Sequence, residues 1–205
     1  LIALFLPYPT NAQSTRPMTF LDVQEMRRAG SWTPSPDGQW MLYTLSTPDW
    51  KADESQSDIH IVSTAEGYPS DRRLTFTEKD SESSPAWTPD GTTFLFLSSR
   101  EDDGSDRQLF RMSPFGGEGQ RFTDAEGGVS NFDFSPDGSR LVYLAGESGQ
   151  AQLYALPTGA TVDAEPEQLT DEDAGIGQWE FSVGGGSIFF LRDDSFDSAN
   201  KERLK

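Results

Sequence analysis

Apolar and polar positions fall into a repeating pattern along most of the chain. Before Ser135, Phe132 and Phe134 alternate with polar neighbours, as residues of a half-buried strand do. The next four residues are Ser135-Pro136-Asp137-Gly138. Proline fixes φ for the second position of a type I turn and aspartate suits the third. Glycine takes the left-handed conformation that closes a tight hairpin. After the turn Leu141, Val142, Tyr143 and Leu144 follow with no polar break. That run predicts a strand buried on both faces, with Leu141 and Tyr143 on one side and Val142 and Leu144 on the other. A sheet covered on both faces needs a layer above and a layer below.

The same pattern recurs at Ser35-Pro36-Asp37-Gly38 and Thr88-Pro89-Asp90-Gly91, and in a degenerate copy, Ser182-Val183-Gly184-Gly185. The starts of the four copies lie 53, 47 and 47 residues apart. Three residues past each last glycine stand Met41, Phe94, Leu141 and Ile188. The next position holds Leu42, Leu95, Val142 and Phe189, and the one after it Tyr43, Phe96, Tyr143 and Phe190. A third strand is predicted at DIHIVST (58–64), QLFRMSP (108–114) and QLYALP (152–157). A fourth is predicted at RRLTF (72–76), QRFT (120–123) and EQLT (167–170). Four short strands per unit at a period in the forties define a β-propeller blade.

The expected fold is therefore all-β, a propeller of four-stranded antiparallel blades. Blades are expected over about 31–76, 84–123 and 130–170, with an incomplete one over 177–205: an open ring of about three and a half blades. Propellers close with about four or more blades, so the chain reads as part of a longer protein. Uncovered terminal blade faces would favour a homo-oligomer. Residues 13–30 form a lead-in, with a short helix in MTFLDVQEMRRAG (18–30) and Thr19 as its N-cap. WKADESQSD (50–58) and REDDGSDR (100–107) read as polar hairpin loops.

Composition narrows the partners. The formal charge is −18, from 34 acidic and 16 basic residues, which argues against nucleic acid, because phosphate binding needs a basic footprint. Solubility is the simpler reading of the acidity and a salty habitat the alternative. With no cysteine, disulfides and thiolate zinc sites are excluded. Residues 1–12 within LIALFLPYPTNAQS resemble the end of a secretory signal peptide, with small residues at −3 and −1 if cleavage follows Ala12. The run is too short to span a bilayer, and an apolar N-terminal strand is the alternative. The first reading places the protein in the periplasm or outside the cell.

Residues for chemistry are scarce. A Ser–His–carboxylate triad needs a histidine, and the one histidine, His60, sits between Ile59 and Ile61 in a predicted strand, where a structural or solvent-facing role is expected. No G-x-S-x-G elbow occurs, and one histidine cannot make a three-histidine metal site. The acidic loop Glu101-Asp102-Asp103-Gly104-Ser105-Asp106 offers oxygen ligands without EF-hand spacing, and reads as a solvated hairpin tip. Ser113-Pro114-Phe115-Gly116-Gly117 is a glycine-rich turn with no helix after it to make a phosphate cradle. No catalytic, cofactor-binding or metal-ligating residue is assigned, and no cofactor is expected.

SPAWTPDGTTFLFLSSR, LFRMSPFGGEGQRFTD and FSPDGSRLVYLA together resemble the propeller of bacterial serine peptidases of the prolyl oligopeptidase family. The likeness is closest to the acylaminoacyl-peptidase and dipeptidyl-aminopeptidase-like branch. It covers about residues 18–192 and includes the opening MTFLDVQEMRRAGSWTPSPDG and the step Ser98-Ser99-Arg100. TolB-like periplasmic propellers share the single-blade motif. The resemblance implies an exported peptidase acting on short peptides, in which the propeller gates a downstream α/β-hydrolase domain that holds Ser, Asp and His. None of that domain's catalytic motif matches a position in this chain. The alternative is a non-enzymatic TolB-like propeller that binds a protein partner.

Overall fold

A computed structural model describes residues 16–77, 80–100 and 106–192. The predicted signal-peptide remnant (1–12), the tip 101–105 of the acidic loop and the end of the fourth unit (193–205) lie outside the described residues. Strands follow one another as antiparallel neighbours in sequence order. The first sheet holds β1 (Arg28–Pro34), β2 (Trp40–Asp49), β3 (Glu54–Ser63) and β4 (Arg72–Arg73). The second holds β5 (Ser83–Trp87), β6 (Phe94–Ser98), β7 (Gln108–Met112) and β8 (Gln120–Arg121). The third holds β9 (Val129–Phe134), β10 (Arg140–Ala145), β11 (Gln152–Pro157) and β12 (Glu167–Gln168). A fourth sheet pairs β13 (Ile176–Phe181) with β14 (Ile188–Arg192). Meanders of four strands, repeated side by side, are the blades of a β-propeller.

The uninterrupted apolar strands are buried on both faces. Every residue of β6 is buried, as are Leu141 to Ala145 of β10. Alternate residues serve different layers: Leu141 and Tyr143 pack with Leu95, Leu97 and Phe122 of the second sheet. Val142 and Leu144 pack with Ile176 and Trp179 of the fourth. Between the first two sheets, Leu42, Ile59 and Ile61 meet Phe94, Phe96 and Phe110. The core is thus a series of seams between blades. Each fully buried Leu, Ile or Phe contributes about 1.5–3 kcal/mol.

The turns explain their own sequence. Ser135 Oγ donates to Asp137 Oδ1 at 2.6 Å and accepts from Arg140 N at 2.9 Å, while Ser139 N donates to Asp137 Oδ1 at 3.0 Å. Ser35–Asp37 and Thr88–Asp90 repeat this clamp at 2.5 and 2.6 Å. The degenerate copy keeps only the bond from Ser187 N to Ser182 Oγ, at 3.1 Å. Gly91 and Gly138 take φ of +70° and +71°. They also lie against a neighbour: a Cβ on Gly138 would stand 2.9 Å from Pro89 Cβ, and one on Gly91 3.5 Å from Pro36 Cδ.

A second repeated device holds the outermost strands. The backbone N–H groups of Ile59, Leu109 and Leu153 donate to the hydroxyls of Thr75, Thr123 and Thr170 at 2.9, 3.0 and 2.9 Å. These threonines close each two-residue outer strand, which is too short to hold by ladder bonds alone.

One detail differs from the sequence reading. Residues 50–58 were expected to form a loop, but β2 runs to Asp49 and β3 begins at Glu54. Ser46 Oγ and Ser55 Oγ bond across the pair at 2.7 Å, so this long ribbon is stapled by polar groups that resemble loop residues in sequence. The lead-in helix, α1 (Phe20–Gln24), is capped by Thr19, whose N–H donates to Asp22 Oδ2 at 2.7 Å. It buries none of its residues.

Candidate functional site

The chain's histidine marks a position that recurs in each blade. Strand register sets His60 opposite Tyr43, Phe110 opposite Phe96 and Tyr154 opposite Tyr143. Ring centroids in the three pairs are 5.4, 5.8 and 5.7 Å apart. His60 therefore occupies the third-strand half of an aromatic pair, next to the outer strand. The second-strand half is the column Tyr43, Phe96, Tyr143 already visible in the sequence. The third-strand partners were not singled out, because His, Phe and Tyr share no single letter.

What covers each pair differs. In the first blade Asp71 bonds both members: Tyr43 Oη donates to its Oδ1 at 2.7 Å, and His60 Nδ1 lies 3.2 Å from both carboxylate oxygens. Burial, then the Asp71 bond and charge, push the Tyr43 hydroxyl pKa well above its ordinary value. A histidine on a carboxylate can act as a base only with a nucleophile in reach. Among the described residues no serine hydroxyl bonds His60, and Asp71 is shared with Tyr43, so the trio braces the blade.

In the second blade the cover is Arg100. Its guanidinium lies 5.1 Å from the Phe96 ring and 5.2 Å from the Phe110 ring, within cation–π range. Glu82, fully buried, holds it at 2.7 Å, and Glu82 Oε1 also accepts from Thr77 Oγ1 at 3.0 Å. This accounts for the Ser98-Ser99-Arg100 step. In the third blade the pair Tyr143–Tyr154 lines a cavity of about 400 Å³ with Phe122 and Leu156. Asp124, Glu126, Asp163 and Glu165, all exposed, also line it.

The other sequence candidates are placed as follows. Asp106 is described, but the rest of its acidic loop is not. The turn Ser113–Gly117 joins β7 to β8 and sets the Phe115 ring edge-on to Trp40 at 5.7 Å. It is a contact between the first two blades. Among the described residues, no three His, Asp or Glu side chains are grouped to hold a metal. No described helix is long and apolar enough to cross a membrane.

The fold defines the class: a β-propeller like those of TolB and of prolyl oligopeptidase-type peptidases. No protein-family model matches the chain. Among curated proteins, the uncharacterized peptidase YuxL of Bacillus subtilis is 39% identical over 97 residues, which make up 47% of this chain and 14% of YuxL. A solved structure assigned as TolB from Agrobacterium tumefaciens superposes with a TM-score of 0.55 and 26% identity. The match covers 80% of this chain and 55% of that one. A puromycin-hydrolyzing peptidase of Mycobacterium tuberculosis gives 0.55 and 17%, over 80% of this chain and 28% of its own. The propeller domain of the Trilobed protease of Pyrococcus furiosus gives 0.51 and 13%, over 71% and 44%. At those two identities the likeness is one of fold. The chain spans 14% of its curated relative and 55% or less of these structures.

Proposed function

We propose that the chain is the propeller portion of an exported serine peptidase that acts on short peptides, and that it gates access to an α/β-hydrolase domain encoded downstream. The observation that carries this reading is the 39% identity to a peptidase over nearly half of the chain, on a fold shared with several peptidase propellers. The division of labour follows from the residues. The described blades tie their one histidine to Asp71 and Tyr43, which supports a reading in which the bond-breaking groups are supplied by the downstream domain. The apolar start, read as a signal-peptide remnant, supports export to the periplasm or beyond.

The test is to express the complete open reading frame that contains these residues and treat it with a fluorophosphonate probe. One labelled serine outside residues 1–205 is expected, with cleavage of short chromogenic peptides and no cleavage of a folded protein. The 205-residue chain alone should remain unlabelled. A complete protein with no labelled serine would overturn the reading. It would favour a second one, a TolB-like propeller that binds a protein partner, which the 26% match over most of this chain supports.

A further inference from the structure

The three aromatic pairs differ in one respect that points to a ligand. The first is closed by Asp71 and the second by Arg100, both supplied by the chain itself. In the strand register Tyr154 faces Gln168 as Phe110 faces Arg121. Two residues before these partners, Pro166 therefore stands where Gly119 does. Gly119 lies against the covered site in the second blade: a Cβ there would be 3.0 Å from Phe96 and 3.1 Å from Arg100 Nη1. Pro166 lines the third-blade cavity. The cavity therefore occupies the place that Arg100 fills one blade earlier. Counting from the turn glycines, the counterpart of Arg100 is Glu147, an exposed residue of opposite charge.

The cavity's own chemistry agrees. Tyr143 is 3% exposed and lines it. Among the described residues no hydrogen bond reaches the Tyr143 hydroxyl, and its oxygen is not sealed off as a buried unsatisfied atom, so it is open to a donor entering the cavity. Burial, with a further contribution from Tyr154, pushes its pKa up to about 12. It therefore stays protonated, with its oxygen free to accept. Four carboxylates line the cavity and, among the described residues, no lysine or arginine does. Two cations lie nearby. Arg121 is paired with Asp124 at 2.8 Å, and Arg111 lies over the Phe122 ring at 5.1 Å and donates to Ala160 O. Glu126, Asp163 and Glu165 remain along the cavity.

We propose that this groove on the third blade binds a guanidinium or alkylammonium cation on an apolar stem. The cation would lie over Tyr143 and Tyr154 as Arg100 lies over Phe96 and Phe110. Its N–H would donate to the Tyr143 hydroxyl, and Asp163 and Glu165 would balance its charge. About 400 Å³ accommodates an arginine-sized side chain with room for water. Two sources share this chemistry: an arginine or lysine side chain of a peptide, and a free small amine. The site does not rest on the peptidase reading and would survive its failure.

The test uses the full chain labelled with 3-fluorotyrosine, whose resonances are assigned with Tyr143→Phe and Tyr154→Phe. The probes are acetyl-Gly-Arg-Gly-amide, the same peptide with citrulline in place of arginine, and agmatine. Saturable shifts of the Tyr143 and Tyr154 signals with a guanidinium probe, but not with the citrulline peptide, are expected. A response to the peptide alone identifies a side-chain ligand, and a response to agmatine alone a free amine. Tyr143→Phe should weaken binding about tenfold, the worth of one hydrogen bond to a charged group. Joint replacement Asp163→Asn and Glu165→Gln should flatten the dependence on salt. Glu147→Arg, which supplies the missing cation in cis, should weaken binding by at least about tenfold. Absence of a saturable shift, an equal response to the citrulline peptide, or unchanged affinity in both Tyr143→Phe and Glu147→Arg would overturn the proposal.

Discussion

Alanine at Gly138 should damage the protein far more than alanine at Gly38, although both residues have nearly the same backbone conformation. Their φ values are +71° and +69°, so the strain of placing an L-residue there is common to both, about 1–2 kcal/mol. Their surroundings differ. A Cβ at Gly38 meets nothing within 4 Å, whereas at Gly138 it would stand 2.9 Å from Pro89 Cβ and 3.2 Å from Pro89 Cγ. The proline ring sits in a turn clamped by Thr88 and Asp90 and cannot swing away. Overpacking of this kind adds about 1–3 kcal/mol. Gly138→Ala should therefore lose about 2–5 kcal/mol, and Gly38→Ala about 1–2. For a chain of this length each kcal/mol shifts the midpoint by about 2–4 °C. Thermal melts followed by tryptophan fluorescence should place Gly138→Ala roughly 4–20 °C below the parent and Gly38→Ala about 2–8 °C below it. A double-mutant cycle with Pro89→Gly, which removes the Cβ that the new methyl would meet, should return about 1 kcal/mol or more of coupling. Equal melting of the two alanine variants, or coupling within error of zero, would refute the contact between turns.

Other expectations concern charge and edges. Ser135, and then Ser139, hold the Asp137 carboxyl down to about 2, and the Asp37 and Asp90 carboxyls are lowered by the same kind of clamp. The fold thus favours the ionised form, so this stabilisation is complete above the ordinary carboxylate pKa near 4 and is lost as pH falls toward 2. Asp137→Asn should flatten acid denaturation in that window, and a curve superimposable on the parent's would count against the clamp. Arg100→Ala leaves the fully buried Glu82 without its partner and should cost about 3–5 kcal/mol. Adding Glu82→Gln should recover part of the loss in urea titrations, and no recovery would mean that Arg100 acts through packing alone. On β14, Phe189 and Leu191 are 67% and 65% exposed, so the 205-residue chain should enhance the fluorescence of a hydrophobic dye. Phe189→Ser with Leu191→Ser should reduce that signal severalfold, and unchanged fluorescence would place dye binding elsewhere.

The blades were legible in sequence because their cues are local. A Ser-Pro-Asp-Gly turn is specified by four adjacent residues, and a strand buried on both faces shows as an unbroken apolar run. What escaped depends on residues far apart in the chain. The bond from Trp87 Nε1 to Thr33 O at 3.2 Å spans two blades, as does the meeting of Trp40 and Phe115. The strand over residues 54–58 was missed because Ser46 and Ser55, whose hydroxyls bond across the ribbon, carry loop chemistry. The strand setting of His60 was visible from its place between two isoleucines, but its partner Asp71 could not be identified before the register was known. The groove beside Tyr143 was invisible for a related reason. It is defined by what the third blade lacks relative to the second, and that comparison requires both pairs and their covers in space.

The contacts between turns make the propeller a directional assembly. The second and third hairpins each present two unlike ends: a glycine that receives the preceding proline and a proline that is offered to the following glycine. Pro36 meets Gly91, Pro89 meets Gly138 and Pro136 meets Gly185. A unit with both halves can stand at any interior place in the series, so the second and third blades should be exchangeable modules in a shuffled or lengthened propeller. The fourth turn has only the receiving half. Val183, fully exposed, stands where the others carry proline, so a following turn would meet a β-branched side chain instead of a ring. That unit could be grafted after another blade, but a Gly-bearing turn placed after it would lose the joint that sets the angle between neighbours.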